Sequence, residues 1–145
     1  MTEILVRNLV REDIKNGFLE ALDALRPASH MTYDTCYAIY DDIKDDPNRV
    51  VAVAVLNGYI VGTASLILER KFIHDGGRAA HIEDVSVNSK FQGQSVGRLL
   101  IQYLLDVALH SGCYKTTLDC KDDVAGFYQR LGFVHNGLSM RINHM

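Results

Sequence analysis

A glycine-containing turn links an apolar segment to the longest helical pattern of the chain. Residues 92–98 read Gln-Gly-Gln-Ser-Val-Gly-Arg, and Gly93 and Gly97 allow a bound group to approach the backbone closely. The first N–H groups of a helix have no partner within the helix, and its dipole favours an anion beside them. Arg98 adds a positive charge that can reach phosphate oxygens. The turn predicts a pyrophosphate site, although a helix start in which Gly97 only permits close packing is an equally simple interpretation.

Acidic and phenolic side chains lie near this turn in the sequence. Neighbouring residues of a strand point to opposite faces, so Glu83 and Asp84 are not expected to act as a carboxylate pair. On these residues alone, a solvated strand end with one salt bridge is the favoured interpretation. Asp119 ends the next predicted strand, where an Asp is also an ordinary helix cap. Tyr128, in the following short helix, can donate a hydrogen bond or a proton, or can simply pack beside Phe127.

The composition is typical of a single folded domain, which we expect to span residues 1–145. The chain is 48% apolar and 23% charged, with two prolines, as in globular enzymes and binding modules. A formal net charge of −3 argues against a nucleic-acid partner, which would call for a basic face. No apolar run approaches the roughly 20 residues that span a bilayer, so we expect a soluble protein without a membrane partner.

The cysteines and the C-terminus bear on localisation. Cys36, Cys113 and Cys120 lack metal-ligand spacing and are expected to be free thiols, and the histidines show no metal spacing either. We therefore expect no metal and a reducing, cytoplasmic compartment. The final tripeptide Asn143-His144-Met145 loosely resembles a peroxisomal signal, which leaves a peroxisome-type organelle as the alternative.

The pattern of apolar residues and turn signals predicts a mixed α/β fold. Asn57-Gly58 is typical of a tight hairpin turn, and Gly112 ends the longest helix. The predicted strands are 4–10, 50–56, 59–70, 79–88, 114–118 and a broken 133–142, and the predicted helices are 11–25, 32–44, 95–111 and 122–131. A strand–helix–strand unit after residue 79 implies one parallel pair in a mostly antiparallel sheet, with helices on both faces.

Several segments resemble one acyltransferase superfamily. Residues 82–87 followed by 92–97 resemble the Q/R-x-x-G-x-G/A signature of the GNAT superfamily, with Ser95 where the signature has Gly. Segments 69–74, 81–84, 112–115, 118–120, 126–128 and 132–133 resemble the eukaryotic glucosamine-6-phosphate N-acetyltransferase family. The resemblance covers residues 60–145 well and the first 50 only in element order. It implies the GNAT fold and acetyl transfer from acetyl-CoA to the 2-amino group of glucosamine 6-phosphate, by direct attack in a ternary complex, a step toward UDP-N-acetylglucosamine.

The resemblance also assigns the residues that would bind and handle acetyl-CoA. Backbone groups of a splayed strand would pair with the pantetheine arm and polarise the thioester carbonyl, and Tyr128 would donate to the coenzyme thiolate. Val124 stands where many relatives have an Asn that bonds the pantetheine. The implied cofactor-binding residues are Val85, Ser86, Val87, Gln92, Gly93, Gln94, Ser95, Val96, Gly97, Arg98 and Tyr128.

For the acceptor, the resemblance implies that Glu83 positions or deprotonates the amine and that Asp84 acts through its backbone carbonyl. Asp119 would bind the sugar and its amine. Arg141 could replace an Arg that the family has at the position of Asn143. The implied acceptor-binding residues are Arg26, Pro27, Lys71, His74, Glu83, Asp84, Tyr114, Lys115, Asp119, Arg141 and Asn143, of which Lys71, His74 and Lys115 would bind the phosphate.

The resemblance further implies a homodimer with residues of both chains at each site, and no cofactor beyond acetyl-CoA. Two alternatives remain at this point. One is a GNAT enzyme for another amine, such as a polyamine or a protein lysine, which would call for acidic residues where Lys71, His74 and Lys115 stand. The other is a coenzyme-A-binding module without turnover, against which Tyr128 and Glu83 argue.

Overall fold

A computed structural model describes residues 3–145 and contains a five-stranded sheet. The strands are β1 (Ile4–Asn8), β2 (Arg49–Leu56), β3 (Tyr59–Arg70), β4 (Arg78–Val87) and β5 (Cys113–Leu118), and they lie side by side in chain order. The helices are α1 (Phe18–Leu22), α2 (Tyr33–Ile43), α3 (Val96–His110) and α4 (Asp122–Arg130). All neighbouring strands are antiparallel except β4 and β5, which are parallel. The predicted fold class is confirmed.

Helix α3 covers one face of the sheet. Its apolar side chains recur every three or four residues, which places them along one stripe of the helix. Leu100, Ile101 and Leu104 are completely buried and pack in one cluster with Val61 and Leu66 of β3. None of the helices within residues 3–145 is long and apolar enough to cross a membrane.

A second, smaller core lies on the opposite face, under α1 and α2. It is built on Ile14, Leu19 and Cys36. Between these helices and the sheet lies a cavity of about 190 Å³ with mainly apolar walls, and Thr63, Ser65 and Asp84 also line it. Burial in this layer is therefore less complete than under α3.

The prediction of one continuous helix over residues 11–25 is wrong. A 3₁₀ turn covers Arg11–Lys15, and α1 begins only at Phe18. Gly17 separates them with a φ of 100°, and a Cβ at this position would lie 2.6 Å from the carbonyl oxygen of Ile60. The close approach of the chain to the β2–β3 hairpin therefore interrupts the helix. That hairpin turns at Asn57 and Gly58 with positive φ at both, as the sequence predicts.

The prediction of a final strand over residues 133–142 is also wrong for this chain. These residues, which we call the C-terminal arm together with 143–145, pair with no strand of the described chain. The alternation of apolar residues is present, but Leu138, Met140 and Ile142 are 88%, 91% and 81% exposed. An apolar period of two produces a strand only where the segment pairs with another strand, and residues 133–142 pair with none in residues 3–145, although β5 has only β4 as a neighbour.

A buried carboxylate anchors the 3₁₀ turn to β1. Asp13 is 2% exposed and binds Arg7 through two bonds, 2.7 and 2.9 Å long, while it also accepts from the backbone N–H of Val10. The hydrogen bond to Asp13 raises the pKa of Arg7. The start of the layer formed by α1 and α2 is thus fixed to the sheet edge by a charged group rather than by apolar packing alone.

We expect Asp13→Ala to lower the free energy of unfolding by about 2–3 kcal/mol, because it removes these bonds and leaves Arg7 without its partner. The loss stays below that of a fully buried pair, since the Arg7 side chain is 36% exposed. Asp41→Ala is the matched control. It breaks the exposed pair with Arg11 at 3.6 Å and should change stability by no more than about 0.5 kcal/mol. Urea denaturation measures both, and equal effects would contradict the role given to Asp13.

Candidate active site

The parallel strands β4 and β5 separate before β4 ends. Their pairing runs from Arg78 opposite Cys113 to Ile82 opposite Leu118. Residues 83–87 continue β4 and pair with β3 on the other side, but they have no partner on the β5 side in the described chain. Residues 85–87 therefore have an open backbone edge, at the place where the resemblance implies a splayed strand. Backbone groups on such an edge need a partner, which a bound amide-containing chain can supply.

A bulge at Asp84 shapes the start of this open edge. Asp84 has a φ of 53°, and the register between β3 and β4 shifts here, so that Thr63 faces Ser86 while Ser65 faces Glu83. The side chains of Glu83 and Asp84 also have different surroundings, since Glu83 contacts His81, and neither the bulge nor these contacts make them a carboxylate pair. Asp84 lines the cavity under α1 and α2.

The turn before α3 presents a set of free backbone donors. In the described chain, the N–H groups of residues 93–98 have no backbone or side-chain acceptor, and the first bond of the helix is made by Leu99 to the carbonyl of Ser95. No acidic residue lies in the first turn of α3. Arg98 is exposed, and its one side-chain hydrogen bond within residues 3–145 is a long one, 3.4 Å to Gln102. The geometry fits an anion with several oxygens, such as a pyrophosphate.

Side chains in the turn contribute less than the backbone does. Val96 is buried in the core, and the side chain of Gln92 bonds the carbonyl of Val87 at 3.4 Å. Gly97 packs tightly, since a Cβ there would lie 3.3 Å from the ring of Phe127. The two interpretations of Gly97 are thus compatible, because its close packing also holds the start of α3 against β4.

Ser95 holds the turn in a left-handed conformation. Its φ is 67°, which Gly would adopt without a steric penalty, and its side chain does not cap the helix. A non-glycine residue in this conformation costs about 1 kcal/mol. The departure from the family signature therefore adds backbone strain to the turn.

Tyr128 points its ring into a cluster of aromatic side chains. It is 9% exposed and packs edge-on against Phe127 and Phe133. Burial, with a smaller contribution from Cys120, raises the pKa of the phenol. The hydroxyl makes no hydrogen bond within the described chain, so a neutral phenol is available to donate one. Val124, one turn earlier in α4, is 42% exposed and offers no amide.

A histidine brings together two of the predicted acidic residues. Nε2 of His81 is 3.2 Å from Oε1 of Glu83 and 3.9 Å from Oδ2 of Asp119, and Nδ1 is 2.7 Å from Oγ1 of Thr117. Asp119 follows β5 directly and does not cap α4, whose N-cap is Lys121. The carboxylates of Glu83 and Asp119 therefore meet at the point where β4 and β5 separate.

The cations predicted for a phosphate lie around Tyr114. The ring of His74 stacks on that of Tyr114 with centroids 3.9 Å apart, and Nζ of Lys115 is 5.8 Å from the Tyr114 centroid. Nζ of Lys71 is 2.9 Å from Oε1 of Glu69, whose hydrogen bond and charge raise the pKa of Lys71. The Tyr114 hydroxyl is buried and has no partner in residues 3–145.

The turn that carries His74 is built around this stacking. His74 and its neighbour Asp75 have φ values of 53° and 56° within the short helical turn Ile73–Gly76. A Cβ at Gly77 would lie 3.0 Å from the Tyr114 ring. The absence of a side chain at Gly77 therefore lets the His74 ring rest on Tyr114.

The structure does not bring the remaining predicted residues to this site within one chain. Arg141 and Asn143 bond each other at 2.6 Å in the C-terminal arm. Arg26 and Pro27 are exposed in the α1–α2 loop and make no side-chain hydrogen bond in the described chain.

Three supporting residues escaped sequence reasoning. Oδ1 of Asp23 accepts from the N–H groups of Ala28 and Ser29, at 2.7 and 2.9 Å, and so holds the loop that carries Arg26 and Pro27. Bonds to Ser29 and Ala28 lower the pKa of Asp23. An Asp a few residues before a Pro-containing loop is a usable signal for such a turn. His81 and Thr117 meet only across two strands, and no local pattern could pair them.

Comparisons with known proteins agree with this geometry. A model of the Acetyltransferase (GNAT) family matches residues 12–133. The chain is 33% identical over 144 residues to the probable glucosamine 6-phosphate N-acetyltransferase 2 of Oryza sativa subsp. japonica, which covers 96% of this chain and 87% of that protein. It is also 33% identical over 138 residues to the glucosamine 6-phosphate N-acetyltransferase of Arabidopsis thaliana, with 93% of each chain covered.

The comparison with solved structures also finds acetyltransferases. The crystal structure of glucosamine-6-phosphate N-acetyltransferase from Arabidopsis thaliana matches with a TM-score of 0.94 and 30% identity, over 99% of both chains. An acetyltransferase from Trypanosoma brucei matches with a TM-score of 0.88 and 32% identity, over 97% of this chain and 99% of the other. The splayed strands, the free donors before α3 and these matches lead to one conclusion: the chain belongs to the GNAT acetyltransferase family, within its group of glucosamine 6-phosphate N-acetyltransferases.

Proposed function

We propose that the protein transfers the acetyl group of acetyl-CoA to the 2-amino group of glucosamine 6-phosphate. The proposal is based on three features that lie near the point where the pairing of β4 with β5 ends. These are the open edge of residues 85–87, the free donors of residues 93–98 and the neighbouring carboxylates of Glu83 and Asp119. The relatives named for this reaction support the choice of acceptor. The product would serve synthesis of UDP-N-acetylglucosamine in the cytoplasm.

The N–H groups of residues 93–98 would bind the pyrophosphate, with Arg98 supplying a charge that has no competing carboxylate partner. The open edge at residues 85–87 would pair with the pantetheine arm. A backbone amide there would donate to the thioester oxygen, where negative charge develops during attack. Bound acetyl-CoA supplies the activated carbonyl carbon, and the chain supplies position and electrostatic stabilisation.

The acceptor amine would lie between Glu83, Asp119 and the backbone carbonyl of Asp84. An amine bound as an ammonium must lose a proton before it attacks, and the Glu83 carboxylate is the acceptor we assign to it. Two neighbouring carboxylates also attract the ammonium form. Both side chains are partly exposed, at 48% and 66%, so the proton can pass on to water.

Tyr128 would stabilise the departing thiolate. Its pKa is raised by burial, so the phenol keeps its proton at neutral pH and can donate a hydrogen bond to sulfur. A raised pKa makes complete proton transfer less favourable, and we therefore assign Tyr128 mainly a hydrogen-bonding role.

The cluster around Tyr114 distinguishes the proposed acceptor from a polyamine. Lys71, His74 and Lys115 would meet the 6-phosphate, and a cationic acceptor would be repelled by the two lysines. Glu69 forms a salt bridge with Lys71, but the Glu69 side chain is 64% exposed. A phosphate with more negative charge can therefore take over that contact.

We further propose that the protein is a homodimer in which the C-terminal arm pairs with a second copy. The support is the exposed apolar alternation of Leu138, Met140 and Ile142, which has a strand pattern and no partner within residues 3–145. Such pairing would carry Arg141 and Asn143 toward the partner's acceptor site.

A side-by-side assay of thiol release tests the acceptor directly. Glucosamine 6-phosphate, glucosamine and spermidine are compared with acetyl-CoA as donor, and we expect the phosphorylated sugar to have by far the highest kcat/KM. A preference for spermidine would instead establish another amine as substrate, and binding of coenzyme A without turnover of any amine would indicate a binding module.

Lys71→Ala should raise the KM for glucosamine 6-phosphate by about ten- to a hundredfold, because a charge-assisted bond to phosphate is lost. The KM for acetyl-CoA should stay unchanged. Lys44→Ala is the matched control, since Lys44 is also an exposed lysine paired with a carboxylate, at 3.4 Å from Asp41. An equal rise in both KM values would refute the assignment of Lys71 to the phosphate.

Tyr128→Phe should lower kcat by roughly ten- to a thousandfold, because the thiolate loses its donor. Tyr103→Phe removes a hydroxyl that bonds Asn8 at 2.6 Å, away from the strand separation, and should leave kcat unchanged. Single-turnover kinetics with both variants make the comparison, and wild-type turnover of the Tyr128 variant would exclude the phenol from the chemistry.

Analytical ultracentrifugation should give twice the 16.2 kDa mass of the chain. Replacing both Leu138 and Ile142 by Asp should shift the protein to the monomer, because charges oppose burial in an interface. Within one chain these side chains are exposed, so the fold itself loses no contact. Leu109→Asp, at a position 70% exposed on α3, is the control. A wild-type monomer would contradict the proposal.

A further inference from the structure

His81 sits at the junction of the two carboxylates that would receive the acceptor amine. It lies opposite Thr117, one residue before the last pair of the β4–β5 ladder. One ring nitrogen, Nε2, contacts Glu83 at 3.2 Å and Asp119 at 3.9 Å, while the other contacts Thr117 at 2.7 Å. The imidazole side chain is 32% exposed, less than either carboxylate.

These partners determine which ring nitrogen carries hydrogen. Ionised carboxylates only accept hydrogen bonds, so Nε2 must carry a proton to bind Glu83. Nδ1 then accepts from the Thr117 hydroxyl when the ring is neutral, and donates to the same oxygen when the ring is charged. A hydroxyl can do both by rotating, so the ring orientation is kept in either form.

We propose that His81 is a positioning residue that holds the Glu83 carboxylate, through its Nε2–H, in the orientation needed to receive the amine. The inference rests on the proposed acetyl transfer. Without His81, Glu83 is a half-exposed side chain at an irregular stretch of β4 and faces the like charge of Asp119 across the strand gap. Nε2 lies 3.2 Å from Oε1 of Glu83 and 3.9 Å from Oδ2 of Asp119, where a donor reduces the repulsion between the two carboxylates. Thr117 in turn fixes the ring.

A purely structural role would have a different signature. If His81 only joined β4 to β5, its replacement would lower stability and disturb both substrates alike. A positioning role instead affects kcat/KM for the amine substrate and leaves acetyl-CoA binding unchanged. It also requires a hydrogen-bond donor at the position of Nε2. The test therefore compares two substitutions of His81 by amide side chains of different length.

The amide of Gln can place an N–H near the position of Nε2, whereas the shorter Asn reaches only the position of Nδ1. We expect His81→Gln to keep kcat/KM for glucosamine 6-phosphate within about threefold of wild type. His81→Asn should lower it by about ten- to a hundredfold, with KM for acetyl-CoA and the melting temperature unchanged. Wild-type activity of the Asn variant, or equal loss in both variants, would overturn the inference.

Thr117→Val supplies an independent measurement if a His81 variant fails to fold. It keeps the shape of the side chain but removes the partner of Nδ1, and should lower the same kcat/KM about three- to tenfold with acetyl-CoA binding intact. No change would contradict the proposal.

The acceptor screen with the wild-type protein distinguishes a failure of the proposed substrate from a failure of the role proposed for His81. If the wild type prefers another amine, the substrate assignment fails and the Gln and Asn variants are compared with that amine. If it acetylates none of the amines, the proposed function and the role of His81 fall together.

Discussion

The early separation of β4 from β5 is the constraint on which the rest of the site depends. Pairing stops at Ile82 and Leu118, and buried or partly buried backbone groups beyond that point need new partners. Glu83 and Asp119 each follow directly after the last residue pair of the ladder, so both lie at this gap. A closed ladder would offer neither an open edge nor space between the carboxylates. One interruption in hydrogen bonding would thus serve both halves of the proposed reaction centre.

The two faces of the sheet support this gap in different ways. Helix α3 is packed against the sheet through a fully buried stripe and fixes the free donors at its start. On the other face, Ser86 is 4% exposed and its Oγ donates to the carbonyl of Ala21 at 2.6 Å. This bond ties the open part of β4 to α1. The strand that would hold the thioester is therefore restrained on both faces while its edge stays free.

Local patterns in the sequence were sufficient for most elements and for the position of the turn before α3. The bounds of β3 and the turn at Asn57-Gly58 follow from β-branched runs and turn chemistry alone. Gly17 was missed because its role depends on Ile60, more than forty residues away. The final strand was wrong because alternation does not reveal whether a segment pairs with an available strand of the same chain. The bulge at Asp84 and the contact of His81 with Asp119 are likewise set by register between strands, which no single segment encodes.

The unfilled volume under α1 and α2 has a dynamic consequence. The layer is held by a small cluster around Ile14, Leu19 and Cys36, by Asp13 and by the Ser86 bond, and it surrounds a cavity of about 190 Å³. Fewer close contacts mean a smaller free energy of local opening than for the sheet and α3. Amide hydrogens of α1 and α2 should therefore exchange with solvent through partial unfolding. Those of β3 should exchange only through global unfolding.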